Sequence, residues 1–323
     1  MRTITIEEHF ATPGFLDGPG RALKQQALDF GGPAAQLLRQ LCDVDDGRIS
    51  EMDQANVDVQ LLSLTSPGTE QMDPAEAVMF ARETNDFLAN AVMKHPRRLY
   101  GFASLPTADP PAAAAELERT IKDYSFKGAM INGHVQGRYL DDKFFWPIFE
   151  CAEALQVPIY LHPTPPPNPV IETSYAGFAH KVTEMLAGPG WGWHIETALH
   201  VIRIILGGTF DRFPRLQFIV GHMGETLPFM LPRLDVMPMI MTKLSRPISS
   251  YLRENIHYTF SGFNFTATFL DLLLQVGVDR IMFSADYPYS SMAHARMFLE
   301  QLPVSASDRE RIAHGNAEHL MRL

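Results

Sequence analysis

The sequence predicts an α/β fold closed as a (β/α)8 TIM barrel with inserted loops, one domain over residues 1–323. Three observations predict it. Short apolar runs alternate with longer helical patterns along the whole chain, which indicates a mostly parallel sheet. The runs are continuously apolar rather than alternating, as in strands covered on both faces. Eight such runs are present, enough to close a barrel, and none is followed by the G-x-G-x-x-G of a doubly wound dinucleotide fold.

The candidate strands are residues 3–6, 57–62, 99–104, 128–131, 158–161, 216–220, 256–260 and 280–284. Between them, Asp73-Pro74 and Asp109-Pro110 each place a capping side chain before a proline at the first helical position. Residues 195–206 form an amphipathic run stopped by Gly207-Gly208. Ser307, with Glu310 three residues on, predicts a capping box opening the last helix. Two stretches break the alternation. Residues 11–45 are Gly-rich, and residues 163–194 are rich in Pro and Gly; both are expected to be long loops that act as lids or binding loops.

The composition, 46% hydrophobic and 20% charged, is that of a globular chain. Acidic residues outnumber basic ones 37 to 27, for a net charge of -10, and there is no Lys/Arg run. Nucleic acid and anionic membrane surfaces are therefore not expected as partners. The N-terminal apolar stretch meets Glu7 too soon for a signal peptide, and no window of about 18 apolar residues predicts a membrane span. Cys42 and Cys151 lie far apart and are expected to be buried thiols in a reducing cytoplasm.

The chemistry lies where the strands end. The first run leads into Glu7-Glu8-His9, the fifth into His162, the sixth through Gly221 into His222, and the eighth into Asp286. In a barrel the C-terminal strand ends meet at one mouth, where active sites sit. Imidazole nitrogens and carboxylate oxygens together are the donors a divalent transition metal accepts, so a metal site is expected at that mouth. Glu7 and His9 are two apart and share a face of their strand, while Glu8 points the other way, toward the helices or a supporting partner.

Further candidates surround these. Asn132 ends the fourth run and could hydrogen-bond a substrate hydroxyl or nearby backbone, and His134 follows it. Trp191 and Trp193 precede a helix, and one could stack on an aromatic ring. Glu196 and His200 are four apart and could pair, with Arg203 on the same segment. Arg233 could bind a carboxylate in a bidentate fork, pair with Asp235, or cross a subunit interface. Tyr289 is a further substrate-binding candidate. Five methionines between Met223 and Met241 read as core or interface.

The segments Glu7-Glu8-His9, Leu161-His162-Pro163, Glu196 to His200, Gly208-Thr209-Phe210-Asp211, Gly221-His222-Met223-Gly224-Glu225 and Phe283-Ser284-Ala285-Asp286-Tyr287-Pro288 together resemble the amidohydrolase 2 branch of the metal-dependent amidohydrolase superfamily. Glu-x-His followed by Phe, in place of His-x-His, is similar to the non-oxidative aromatic decarboxylases of the γ-resorcylate and 2,3-dihydroxybenzoate type. The resemblance implies metal ligands at Glu7, His9, His162 and Asp286, with a catalytic His222 supported by Glu225. Asp286 would also act as the general acid. Trp191 keeps the decarboxylases' spacing to Glu196-Thr197. The fourth run ends in Asn132, and Lys127 sits at its start, so no carboxylated lysine is expected and one divalent ion, Mn2+ or Zn2+, is inferred. The expected reaction is CO2 release from an ortho-hydroxybenzoate; the alternative is hydrolysis of a lactone, amide or ester by a metal-bound water. The expected assembly is a homodimer or homotetramer.

Overall fold

A computed structural model describes residues 1–323, apart from the side chains of Phe30, Pro33 and Ala34. Its strands are β1 (Ile4–Phe10), β2 (Val59–Leu64), β3 (Leu99–Gly101), β4 (Ala103–Ser104), β5 (Ala129–Asn132), β6 (Ile159–His162), β7 (Phe218–Val220), β8 (Ile256–Thr259) and β9 (Ile281–Met282). All neighbouring pairs are parallel, in the orders β1-β2-β3 and β4-β5-β6-β7-β8-β9. The two sheets are halves of one wall. The third predicted run is broken only at Phe102, whose N–H still donates to Leu62 O at 2.9 Å while Ala103 N donates to Gly128 O at 2.9 Å. At the other seam, a parallel bridge joins Glu8 to Tyr287, and His9 N donates to Tyr287 O at 2.7 Å.

Two layers of packing hold this wall. Inside it, Ile4, Ile6, Val59, Leu61, Phe102, Met130, Tyr160, Ile219 and Met282 form one buried cluster with Ala317 and Met321 of helix Asn316–Met321. Outside it, Phe10, Leu62, Leu64, Ile131 and Leu161 pack against the helices. β1 carries one extra residue between Thr5 and Glu8 relative to β2. That bulge reverses the alternation, so Ile4 and Ile6 fill the interior below while Glu7 and His9 face it above.

The capping predictions at Asp73 and Asp109 hold, with side chains accepting from Ala75 N and Ala112 N. The last cap is two residues earlier than predicted. Ser305, not Ser307, accepts from Asp308 N and opens helix Ala306–Glu310. The two expected loops are largely helical. The first contains helices Pro13–Asp17, Arg21–Phe30 and Pro33–Cys42; the second contains Asn168–Ser174 and His180–Ala187 before helix Gly192–Leu206. Among the described residues no helix is long and apolar enough to cross a membrane.

Candidate metal centre

The C-terminal strand ends bring Glu7, His9, His162 and Asp286 together, as their positions after the runs predicted. His9 Nε2 lies 3.3 Å from Asp286 Oδ1, and His162 Nε2 lies 3.5 Å from Glu7 Oε1. One donor atom from each of Glu7, His9 and His162 fits within 4.8 Å of the others. Two atoms each about 2.1 Å from a common ion lie roughly 3.0–3.4 Å apart, so these spacings suit one ion. The hydrogen bonding agrees. Glu7 Oε1 and His9 Nε2 are buried and have no hydrogen-bond partner among the described residues, an arrangement that is costly unless a ligand completes it. His162 Nδ1–H donates to Pro163 O at 2.8 Å, which leaves the Nε2 lone pair facing the cluster.

Each donor is held by named partners. Glu7 Oε2 accepts from Tyr160 OH, Ser261 Oγ and, at 3.2 Å, Thr259 Oγ1. Gly221 makes room for it, because a Cβ there would stand 2.5 Å from Glu7 Oε2. Glu8 turns outward as expected and clasps the backbone around Asp286. Its two oxygens accept from Ala285 N at 2.9 Å and Tyr287 N at 3.1 Å. Asp286 sits between them at φ 63, a left-handed conformation that costs a non-glycine residue of order 1–3 kcal/mol. Glu8 spans the turn and supports it. The fully buried Arg48 lies behind and donates to His9 O at 2.7 Å.

Beside the cluster, His222 Nδ1–H donates to Glu225 Oε1 at 2.7 Å, and His222 Nε2 lies 3.9 Å from Asp286 Oδ2. His222, Met223, Glu225 and Thr226 all adopt positive φ, so this loop coils tightly off β7 and turns the imidazole and carboxylate toward each other. Burial opposes charge on His222, but the carboxylates of Glu225 and Glu7 outweigh it and lift the imidazole well above its ordinary value. Burial likewise raises Asp286, yet the imidazoles of His222 and His9 hold it below the usual carboxylate range. Burial pushes the Glu7 carboxyl up to about 8, against the pull of His222. Burial, with His9 and His222 beside it, keeps His162 neutral.

The other candidates divide. Asn132 is buried, lies in register with His162, and leaves Oδ1 without a partner among the described residues. The Tyr289 ring meets that of His9 edge-on at 5.5 Å, and its hydroxyl bonds Thr65 Oγ1 at 2.6 Å. Trp191 is not drawn in: it caps helix Gly192–Leu206 and is 52% exposed, whereas Trp193 reaches inward to His194. Arg233 is exposed on helix Leu227–Leu234, and Asp235 is engaged by Ser249 rather than by Arg233. Glu196 and His200 do not pair. Glu196 accepts from Tyr139 OH and His200 Nε2 from Leu140 N at 2.8 Å, so the helix grips residues 139–140. His134 is a structural pin: Nδ1 accepts from Gly137 N at 3.0 Å and Nε2–H donates to Pro165 O at 3.2 Å.

The sequence reading missed Tyr160, Ser261 and His194. Tyr160 had a signal, standing two residues before His162 and so on the same strand face. His194, whose Nδ1–H donates to Glu225 Oε2 at 2.5 Å, had none, because its partner comes from another strand end.

Comparison with known proteins follows the same lines. The amidohydrolase family model matches residues 37–323. A γ-resorcylate decarboxylase of Polaromonas sp. is 39% identical, over 99% of this chain and 98% of its own length. A solved 2,6-dihydroxybenzoate decarboxylase complexed with 2,6-dihydroxybenzoate superposes with a TM-score of 0.90 at 35% identity, covering 100% of both chains. A dihydroxybenzoic acid decarboxylase from Polaromonas sp. JS666, with bound manganese and the inhibitor 2-nitroresorcinol, superposes at 0.91 with 36% identity, over 100% of this chain and 97% of that one.

Proposed function

The chain belongs to the amidohydrolase family, and on that premise we propose that it is a metal-dependent, non-oxidative decarboxylase of an ortho-hydroxylated aromatic carboxylic acid. The observation that carries this reading is the placement of the His222–Glu225 pair against Asp286, beside the Glu7, His9 and His162 cluster. Glu7, His9, His162 and Asp286 would hold one divalent ion, Mn2+ as in the solved relative or Zn2+. When bound, the ion would draw the carboxylate and phenolic oxygens of the substrate and stabilise negative charge on them.

The residues of the chain do the rest. His222 holds a proton within reach of Asp286, whose carboxylate is ionised at rest. As the substrate reacts, His222 gives this proton to Asp286, which passes it to the ring carbon bearing the carboxylate. The electrons of the breaking C–C bond return to the ring, CO2 leaves, and aromaticity is restored. Glu225 keeps the His222 ring oriented and balances its charge, so the step combines orientation with general acid catalysis. Asn132 Oδ1 and the Tyr289 hydroxyl are the polar groups assigned to the substrate's ring hydroxyls.

The same reading treats the chain as a single domain and a homo-oligomer. Of the methionine-rich run, Met223 is buried, but Phe229, Met230, Val236, Met239, Ile240 and Met241 are exposed, a face suited to a second copy. Cys42 and Cys151 are unbridged, in keeping with a cytoplasmic location. The test is turnover by the Mn2+-loaded protein of benzoates with and without an ortho hydroxyl. Loss of the acid's ultraviolet band for 2,6-dihydroxybenzoate but not for 4-hydroxybenzoate supports the reading; no change with any ortho-hydroxy acid refutes it.

A further inference from the structure

One buried histidine at this site has no part in the steps above. Glu225 is almost fully buried and uses both carboxylate oxygens on imidazoles: Oε1 accepts from His222 Nδ1–H at 2.7 Å and Oε2 from His194 Nδ1–H at 2.5 Å. The two rings meet edge-on at 4.9 Å, and Phe263 packs on both, at 5.1 Å from His194 and 5.3 Å from His222. On its far side, His194 Nε2 accepts the Trp193 indole N–H at 3.1 Å and lies 3.1 Å from Pro189 O. Pro189 lies in the segment inserted after β6, and Trp193 shares the first turn of helix Gly192–Leu206 with His194.

We propose that His194 is a positioning residue: through the shared Glu225 carboxylate it fixes the ring of His222, and the Trp193 N–H on its far nitrogen fixes its own tautomer. Without a second donor, the Glu225 carboxylate is a free rotor. A carboxylate held at one oxygen by His222 alone can swing about its last torsion, which is broad and roughly two-fold. The second donor removes that freedom, so His222 Nδ1–H has one acceptor in one place and Nε2 stays aimed at Asp286. The Trp193 N–H adds direction, because an indole only donates and so requires a lone pair on His194 Nε2. That leaves the His194 proton on Nδ1, where Glu225 needs it. Removing the second support of a carboxylate–histidine pair resembles loss of an outer partner at a metal ligand, which costs about 10–100-fold.

The proposal rests on the decarboxylase reading, and the test separates the two. In the Mn2+-loaded protein, His194→Ala is expected to lower kcat about 10–100-fold, with KM within about threefold and metal content unchanged. His194→Asn puts an amide N–H where Nδ1 stood and is expected to recover most of that loss. In parallel, 15N-histidine spectra of the diamagnetic Zn2+-loaded protein are expected to show the His222 ring nitrogens shifting in His194→Ala and returning toward wild type in His194→Asn. Unmoved His222 signals overturn the proposal, as does a kcat equal to wild type, or one lowered no less in His194→Asn than in His194→Ala. If the wild-type protein releases no CO2, the decarboxylase reading fails, and the His222 signals alone uphold or overturn the positioning role.

Discussion

At the residue scale the site depends on how few ways its donors can be held. Glu7 is gripped by Tyr160, Thr259 and Ser261, with Gly221 leaving room. Gly221→Ala would place a Cβ 2.5 Å from Glu7 Oε2 and 2.9 Å from Tyr160 OH, so the carboxylate must shift. Metal affinity is expected to fall about 10–100-fold, measured by competition with a chelating dye, with the fold retained by circular dichroism. Glu70 gives a pH signature away from the ligands. It is 1% exposed, one oxygen accepts from Asn132 N at 3.1 Å, and burial raises its carboxyl from 4.5 to about 7. Between those values the folded state binds more protons than the unfolded, so Glu70 favours folding below about 4.5 and progressively opposes it as pH rises to about 7. Glu70→Gln is therefore expected to match wild type near pH 4 and exceed it at pH 8 by up to on the order of 3 kcal/mol, read from urea midpoints. The convergence of Glu7, His9, His162 and Asp286 was legible in the sequence because strand ends converge in any barrel. Glu70 and His194 were not, since their meaning comes from burial and from partners on other elements.

At the scale of elements, the alternation of runs and helices announced the barrel, and three details escaped it. The β1 bulge is invisible to a period-2 pattern, because Ile4, Thr5 and Ile6 alternate normally and the extra residue shows only against β2. The inserted segments read as loops because their Gly and Pro content is high, yet those residues sit at helix ends: Gly31 and Gly188 are C-caps, and Pro13 and Pro33 are first-turn prolines. The cap of the last helix was misread because Ser305 and Ser307 are both followed three residues on by an acid. Ser305 wins by accepting from Asp308 N. Ser305→Ala is expected to destabilise the protein by about 1 kcal/mol, and Ser307→Ala by much less, compared by thermal melts.

For the whole molecule, the metal centre joins strands from both sheets, so an ion there stitches the barrel across its mouth. Chelation is expected to lower the melting temperature, by about 2.7 kcal/mol of lost stability when free metal had stood at 100 times its dissociation constant, and re-addition of Mn2+ to restore it. The exposed apolar face makes a second prediction. Phe229 is 75% exposed and Ile240 90%. If this face meets another copy, Phe229→Asp with Ile240→Asp should yield monomers by light scattering while circular dichroism stays unchanged. We infer that Asp286 delivers a proton to a ring carbon that loses CO2. That delivery is tested most directly by running the Mn2+-loaded enzyme on 2,6-dihydroxybenzoate in D2O, with a lactone and an ester as controls. One CO2 per ring, one deuterium at the carbon that carried the carboxylate, and loss of both in Asp286→Asn are expected. Opening of the lactone without CO2 from any hydroxybenzoate would contradict that inference.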